Sequence, residues 1–389
     1  MGLSAAVLAL GLAGCSTIST LLDSSRAQRE FVVENTWVRS TTRNEFLGFR
    51  RMNRMSPIVL EKMVIQANAI DGIVAYNRNG GRELWRLNLD NGVEGGAQVV
   101  GDRLYFGSSN GQFYCVNAAT GAIIWTFPVR AETLAPPSID NGVVYFQSGT
   151  DIVFALDAES GKQLWLYNRQ VTGNFSIRAT TRPVIDGDKL YVGFSDGFLV
   201  ALKKRDGSLL WERKLGRQGR FKDVDSTPVI DDDSLYVASF DGFLYSLKKD
   251  SGDVNWEIDR GGYVPVTIGR DRFSDRLYFS TVTGQLLILD KRTGKEIRSV
   301  KIRKGIATQP TFFGNYIVYG ESDGALVVAD AENGAPIGHF NPGHGLVSKP
   351  SVVEATGEAY FISNSANLYA MKLGFRRSSD RLPWQAAHR

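Results

Sequence analysis

Gly-x-x-x-Trp recurs five times along the chain, as Gly81/Trp85, Gly121/Trp125, Gly161/Trp165, Gly207/Trp211 and Gly252/Trp256, with Trp spacings of 40, 40, 46 and 45 residues. Each copy follows apolar, β-rich runs broken by tight polar turns. A unit of this kind cannot bury its hydrophobic face alone, so neighbouring copies must stack. Some forty residues is the length of four short strands with their turns, which is the period of a β-propeller blade.

Turn chemistry divides the units. Asn110-Gly111, Asp196-Gly197, Asp241-Gly242 and Asp323-Gly324 join second to third strands, and such dipeptides suit hairpin turns with positive φ. Loops ending in Gly121, Gly161, Gly207, Gly252, Gly294 and Gly334 join third to fourth strands, and these glycines are expected in left-handed conformation. Four residues on stands Trp in five copies, Arg298 in a sixth and Gly338 in a seventh. Segments 348–354, 358–363 and 367–373 supply three strands of an eighth unit, which then lacks a fourth. The isolated run Phe31 to Val38 carries a Trp at position 37. It is expected to complete that last blade and so remove open sheet edges.

The expected fold is therefore all-β, an eight-bladed β-propeller of four-stranded antiparallel blades over residues 30–374, closed by an N-terminal strand. Trp37, Trp85, Trp125, Trp165, Trp211 and Trp256 are read as structural. A buried aromatic of this size contributes about 4–6 kcal/mol gross at about 25 cal/mol per Å². The polar segment 375–389, which holds Trp384, is expected to be a mobile tail.

A net charge of +4 with dispersed Lys and Arg is too weak to indicate nucleic acid. Residues Leu3 to Gly14 form a short apolar segment ending Leu-Ala-Gly just before Cys15, a secretory pattern with Cys where cleavage falls. It resembles the bacterial lipobox, although no Lys or Arg precedes Cys15. The resemblance implies a signal peptide at 1–14, a covalent lipid on Cys15, a flexible tether at 15–29, and, with Ser16 next, sorting to the outer membrane. Cys115, the other cysteine, sits in an apolar run and reads as a small buried hydrophobe.

Chemistry-bearing motifs are few. Ser160-Gly161-Lys162 and Thr293-Gly294-Lys295 lack the upstream Gly of a phosphate loop and precede strands. His339 and His344 have no evident third metal ligand, and three histidines assemble no Ser-His-Asp set. No catalytic or metal-binding residue and no non-covalent cofactor is expected.

The repeat is interrupted in two places. From the fourth-strand Trp to the next blade's first Pro takes 12 residues at Trp125–Pro137, but 18 at Trp165–Pro183 and 17 at Trp211–Pro228. Surplus length in two successive connections on one face is where binding is expected. The first loop presents Phe175, Ile177 and Arg178, apolar side chains alternating beside a guanidinium, which reads as a protein-contact patch. The second holds Asp223 and Asp225, carboxylates able to receive a partner's Arg or Lys. Alternatively Phe175 and Ile177 pack under their own loop and the Asp residues bond local amides.

Across about residues 30–373 the units resemble the quinoprotein-type propeller repeat, a family with quinone-dependent dehydrogenases and non-enzymatic scaffolds. The dehydrogenases characteristically carry a vicinal Cys-Cys pair and a Ca²⁺ site of many oxygens; this chain has no Cys-Cys. Anchor, repeat and loops together resemble the BamB family of outer-membrane lipoproteins. Phe175-Ser-Ile-Arg178 matches its apolar-x-apolar-Arg element and Asp223-Val-Asp-Ser-Thr-Pro228 its Asp-x-Asp-(Ser/Thr)-Thr-Pro element. That resemblance implies a lipid-anchored, non-catalytic scaffold on the periplasmic face of the outer membrane. It would dock on BamA through Phe175, Ile177, Arg178, Asp223 and Asp225 and meet other subunits of the β-barrel assembly complex, with nascent barrel proteins as further candidates. A quinone-dependent dehydrogenase and a propeller sensing a ligand in its central channel are the alternatives.

Overall fold

Thirty-two strands form eight four-stranded antiparallel sheets in the computed structural model, which describes residues 29–43, 52–169, 181–215, 223–224, 226–239 and 242–377. The third blade shows the plan, with strands Ser138–Asp140, Val143–Gln147, Ile152–Asp157 and Gln163–Asn168 in simple sequential order. The eighth is assembled differently, from Ser351–Val353, Glu358–Ile362, Asn367–Arg377 and, outermost, Arg29–Ser40. The expected closure by an N-terminal strand is therefore what the chain does. Thr41 fastens the seam, its N–H and hydroxyl both donating to the Ala366 carbonyl at 2.9 and 2.7 Å.

Burial follows the strand position in each blade. Second and third strands are buried along nearly their whole length, as in Val144–Gln147 and Val153–Leu156, whereas the fourth strand alternates between half-buried and exposed residues. The apolar clusters lie between blades. One joins Tyr105 and Phe113 of the second blade to Val144, Phe146 and Phe154 of the third, with Phe113 stacked on Phe146 at a centroid separation of 4.1 Å. Cys115 belongs to this cluster, fully buried, and burial pushes its thiol up to about 11.

The Gly-x-x-x-Trp motif is an inter-blade latch. Its Gly receives the indole of the preceding blade's Trp, so a Cβ on Gly121, Gly161, Gly207, Gly252 or Gly294 would stand 2.5–2.8 Å from Trp85, Trp125, Trp165, Trp211 or Trp256 respectively. These glycines and Gly334 all have φ of 69–73°, as their loop position requires. Each indole N–H then donates to a backbone carbonyl of the next blade, for example Trp125 to Ala158 and Trp165 to Lys204, both at 3.1 Å. A second-strand Tyr donates to the same oxygen, Tyr105 to Ala158 and Tyr145 to Lys204. At the seam Trp37 makes the equivalent bond to Arg78 at 3.0 Å, over Gly81. Where Arg298 replaces Trp, Tyr278 alone reaches the Ala331 carbonyl, at 2.7 Å.

Two details depart from expectation. Gly111, Gly197 and Gly242 have positive φ, but Gly324 does not; there the Glu321 carboxylate folds back to accept the Ala325 N–H at 3.2 Å and leaves no room for a Cβ. The last strand also runs to Arg377, past the expected start of the tail at 375, because Phe375 meets Phe31 edge-on at 5.0 Å.

First strands surround the central channel, those of the first blade touching both the second and the eighth. Hydroxyls link them around the ring: Ser138 donates to the Pro183 carbonyl, Thr267 to Pro310, Thr311 to Pro350 and Ser351 to Pro57, at 2.5–3.1 Å.

Candidate functional site

The two long connections leave the third and fourth blades and are rooted at one place, the Phe194–Gly197 turn of the fourth blade. Arg169, at the exit of the third blade, pairs with Asp196 at 2.6 Å and Glu212 at 2.7 Å and lies over the Phe198 ring at 4.3 Å. Those two carboxylates hold its guanidinium far into the charged form even against partial burial. Its return is equally tied down. Thr181 donates to Gln147 Oε1 and the Gly193 carbonyl and accepts the Gly193 N–H, at 2.9–3.2 Å.

The second connection starts and ends on that same turn. The Leu215 N–H donates to the Gly197 carbonyl at 2.8 Å and the Val224 N–H to the Phe194 carbonyl at 3.2 Å. Thr227 Oγ1, near its end, accepts the Arg182 N–H at 3.1 Å, so the two returning stems touch. The described stems of the two loops thus share one base.

Of the residues singled out in the sequence, Phe175, Ile177, Arg178 and Asp225 lie outside the described residues, as does Cys15. Asp223 is described and is buried, with 1% exposure, at the foot of the second loop. A partner's cation would have to reach into that foot to meet it. Trp37, Trp85, Trp125, Trp165, Trp211 and Trp256 are all spent on the latches.

Asp151, in the third blade's hairpin turn, is the acidic centre of this base. Its carboxylate accepts the Ser195 hydroxyl and N–H and the Gln147 amide. Burial raises its pKa above the usual carboxylate range; the Ser195 bonds oppose this, while Asp196 and Asp223 add to it. Such a group keeps its proton in the fold at pH values where the unfolded chain has lost it. Its contribution to stability therefore falls as pH rises through that window and returns on acidification. Asp151→Asn, uncharged throughout, is expected to lack this gain, so melting curves taken as pH falls from neutral toward the ordinary carboxylate pKa of about 3.9 should move in favour of the unsubstituted protein. A melting difference independent of pH would count against it.

Arg169, Gln147, Asp151 and Thr181 were not singled out by sequence reasoning. The position of Arg169, directly after a fourth strand and before the surplus residues, was the available signal. Among the described residues no three His, Cys, Asp or Glu converge as metal ligands.

Comparison with known proteins places this architecture. The family model described as "Outer membrane protein assembly factor BamB" matches residues 71–273, more than half of the chain. The curated protein of that name from Moranella endobia is 25% identical over 54% of this chain and 58% of its own length, less than two thirds of that relative. The Salmonella typhimurium protein is 24% identical over 92% of this chain and 95% of its own. The crystal structure of BamB from Moraxella catarrhalis superposes with a TM-score of 0.74, at 23% identity, over 88% of this chain and 100% of that one. The chain belongs to the outer membrane protein assembly factor BamB family.

Proposed function

We propose that the protein is a lipid-anchored scaffold on the periplasmic face of the outer membrane, held through Cys15, which docks onto BamA by the tips of its two long loops. The observation that carries this reading is the shared root: Arg169, Thr181, Leu215 and Val224 all fasten to the fourth blade's Phe194–Gly197 turn or the strand leading into it. Stems fixed on one base keep the two loops close to each other, which lowers the entropy lost when a partner engages both. Phe175 and Ile177 supply apolar anchors, Arg178 a forked donor for a carboxylate, and Asp225 a charge for a partner's cation. Asp223, buried at the loop foot, is met only by a side chain that inserts between the loops. Other subunits of the assembly complex and nascent barrel proteins are further partners in this reading.

The test is capture of BamA by the purified full chain and its variants. Phe175→Ala/Arg178→Ala is expected to reduce capture at least about tenfold, loss of two central anchors being worth more than about 1.4 kcal/mol. Asp225→Ala should reduce it without lowering the melting temperature, whereas Asp223→Ala should lower both. Undiminished capture by folded variants would remove the loops from the docking surface.

A further inference from the structure

The fourth strand of the sixth blade, Glu296–Lys301, is the outermost of its sheet, so one row of its backbone N–H and C=O groups has no neighbouring strand. At position 298, where the first five blades carry a latch Trp, it holds an exposed Arg. The interface with the seventh blade is secured without that side chain. Tyr278 bonds the Ala331 carbonyl, Val300 takes the place over Gly334 that an indole fills elsewhere, and Phe273, from the 3₁₀ turn Asp271–Phe273, packs with Tyr278 and Phe312. Arg298 is thus free of the duty its position has in other blades.

It also opens a run of like charge. Lys301, Arg303 and Lys304 follow, all exposed, and none of the four side chains has a hydrogen bond or ion pair among the described residues. Arginines on other outer strands are engaged by contrast, Arg86 with Glu83 at 2.8 Å, Arg213 with Asp253 at 2.7 Å, and Arg39 with the Gly80 and Gly81 carbonyls at 2.6 and 2.8 Å. The carboxylates that reach this segment from the seventh blade are already occupied. Glu321, 3% exposed, accepts the Arg303 and Ala325 backbone N–H groups at 3.1 and 3.2 Å, and Asp323 accepts the Ser322 hydroxyl at 3.1 Å. Within residues 296–304 the single acid is Glu296, so the segment carries a surplus of positive charge.

We propose that the outer strand of the sixth blade is a docking edge for an extended segment of a partner protein rich in Asp and Glu. Such a segment pairs with the open backbone row as an added strand, while its carboxylates receive Arg298, Lys301, Arg303 and Lys304. Ile297, exposed between Glu296 and Arg298, gives it an apolar contact on the same edge. A second copy of this chain would bring like charges together and is repelled. An anionic lipid surface meets the cations but leaves the backbone row unpaired. The edge belongs to a different blade from the two long connections and does not rest on their role.

A fluorescent peptide of alternating Glu and Val, titrated into the full chain at low ionic strength, tests this. Saturable binding is expected, weaker by about tenfold or more in Arg298→Glu/Lys301→Glu. It should also fall with added salt, as the screening length shortens from about 30 Å at 0.01 M to about 8 Å at 0.15 M. Because these side chains are exposed and unbonded, the double variant should melt as the unsubstituted protein does. Phe175→Ala/Arg178→Ala and the exposed control Lys162→Glu should bind the peptide normally. Bound peptide should slow hydrogen exchange of the amides in 296–301. Absence of saturation up to about 1 mM, equal affinity for a peptide of alternating Lys and Val, or undiminished affinity in the double variant would overturn the proposal. So would unprotected amides in 296–301 together with capture of phosphatidylglycerol vesicles through the same residues, which would make the edge a lipid-facing surface.

Discussion

Trp37→Ala is expected to lower the free energy of unfolding by about 3–5 kcal/mol, the range for deleting a buried aromatic, and to loosen the ring at its closing blade first. Trp37 is 8% exposed, sits between Tyr76 of the first blade and Tyr360 of the eighth at 6.3 and 6.0 Å, and donates to the Arg78 carbonyl. The same interface holds the Arg78–Glu358 ion pair. Elsewhere a fourth strand is held to its blade by a short turn as well as by pairing, so loss of an indole leaves it tethered. The strand Arg29–Ser40 has no such turn, and its detachment releases twelve residues of chain at once. Hydrogen exchange separates the cases. In Trp37→Ala the amides of residues 30–40 should exchange ahead of global unfolding, while in Trp165→Ala no single strand should lead. Equal protection of that strand in both variants would show that the seam is no weaker than other interfaces.

Gly161→Ala is expected to cost about 2–5 kcal/mol, combining a left-handed backbone worth about 1–2 kcal/mol with overpacking worth about 1–3 kcal/mol. With φ at 71°, the added Cβ would stand 2.7 Å from the Trp125 indole, so the ring must tilt and strain its bond to the Ala158 carbonyl. Gly142→Ala is the control. It has the same handedness, φ 75°, but nothing within 4 Å of the new Cβ, so its loss should be limited to the backbone part. Chemical denaturation of the pair measures the latch by difference. If the two variants lost the same stability, the Gly would be a turn residue alone and the indole could move without cost.

The channel and the loops differ in how far they could be read from the chain. That Arg182 and Lys349 precede equivalent prolines is plain in the sequence. Where the first-strand carboxylates go is not, because Asp140, Asp186 and Asp231 occur a few residues away from such prolines and are taken up by Lys204, Lys249 and Lys291 of the next blade. Likewise the surplus residues after Trp165 and Trp211 marked a candidate site, but not that Arg169 and Val224 root both loops on one turn, since these contacts cross from one blade to its neighbour. Asp223 was legible as a carboxylate near a proline and proved to be buried. Gly324 was legible as a turn residue and proved to be required by the Glu321 carboxylate instead.

By itself the sequence determined the number of blades, the order of their strands and the closing role of the segment around Trp37. Those follow from local periodicity, because apolar alternation and turn residues act within a few positions of each other and repeat. Only the tertiary structure decided what the repeat accomplishes. The Gly and Trp of one motif do not meet each other; each Trp covers the Gly of the following blade. A latch between neighbours and two loops rooted on one turn are relations between blades, and no spacing along the chain states which residue will face which until the ring has closed.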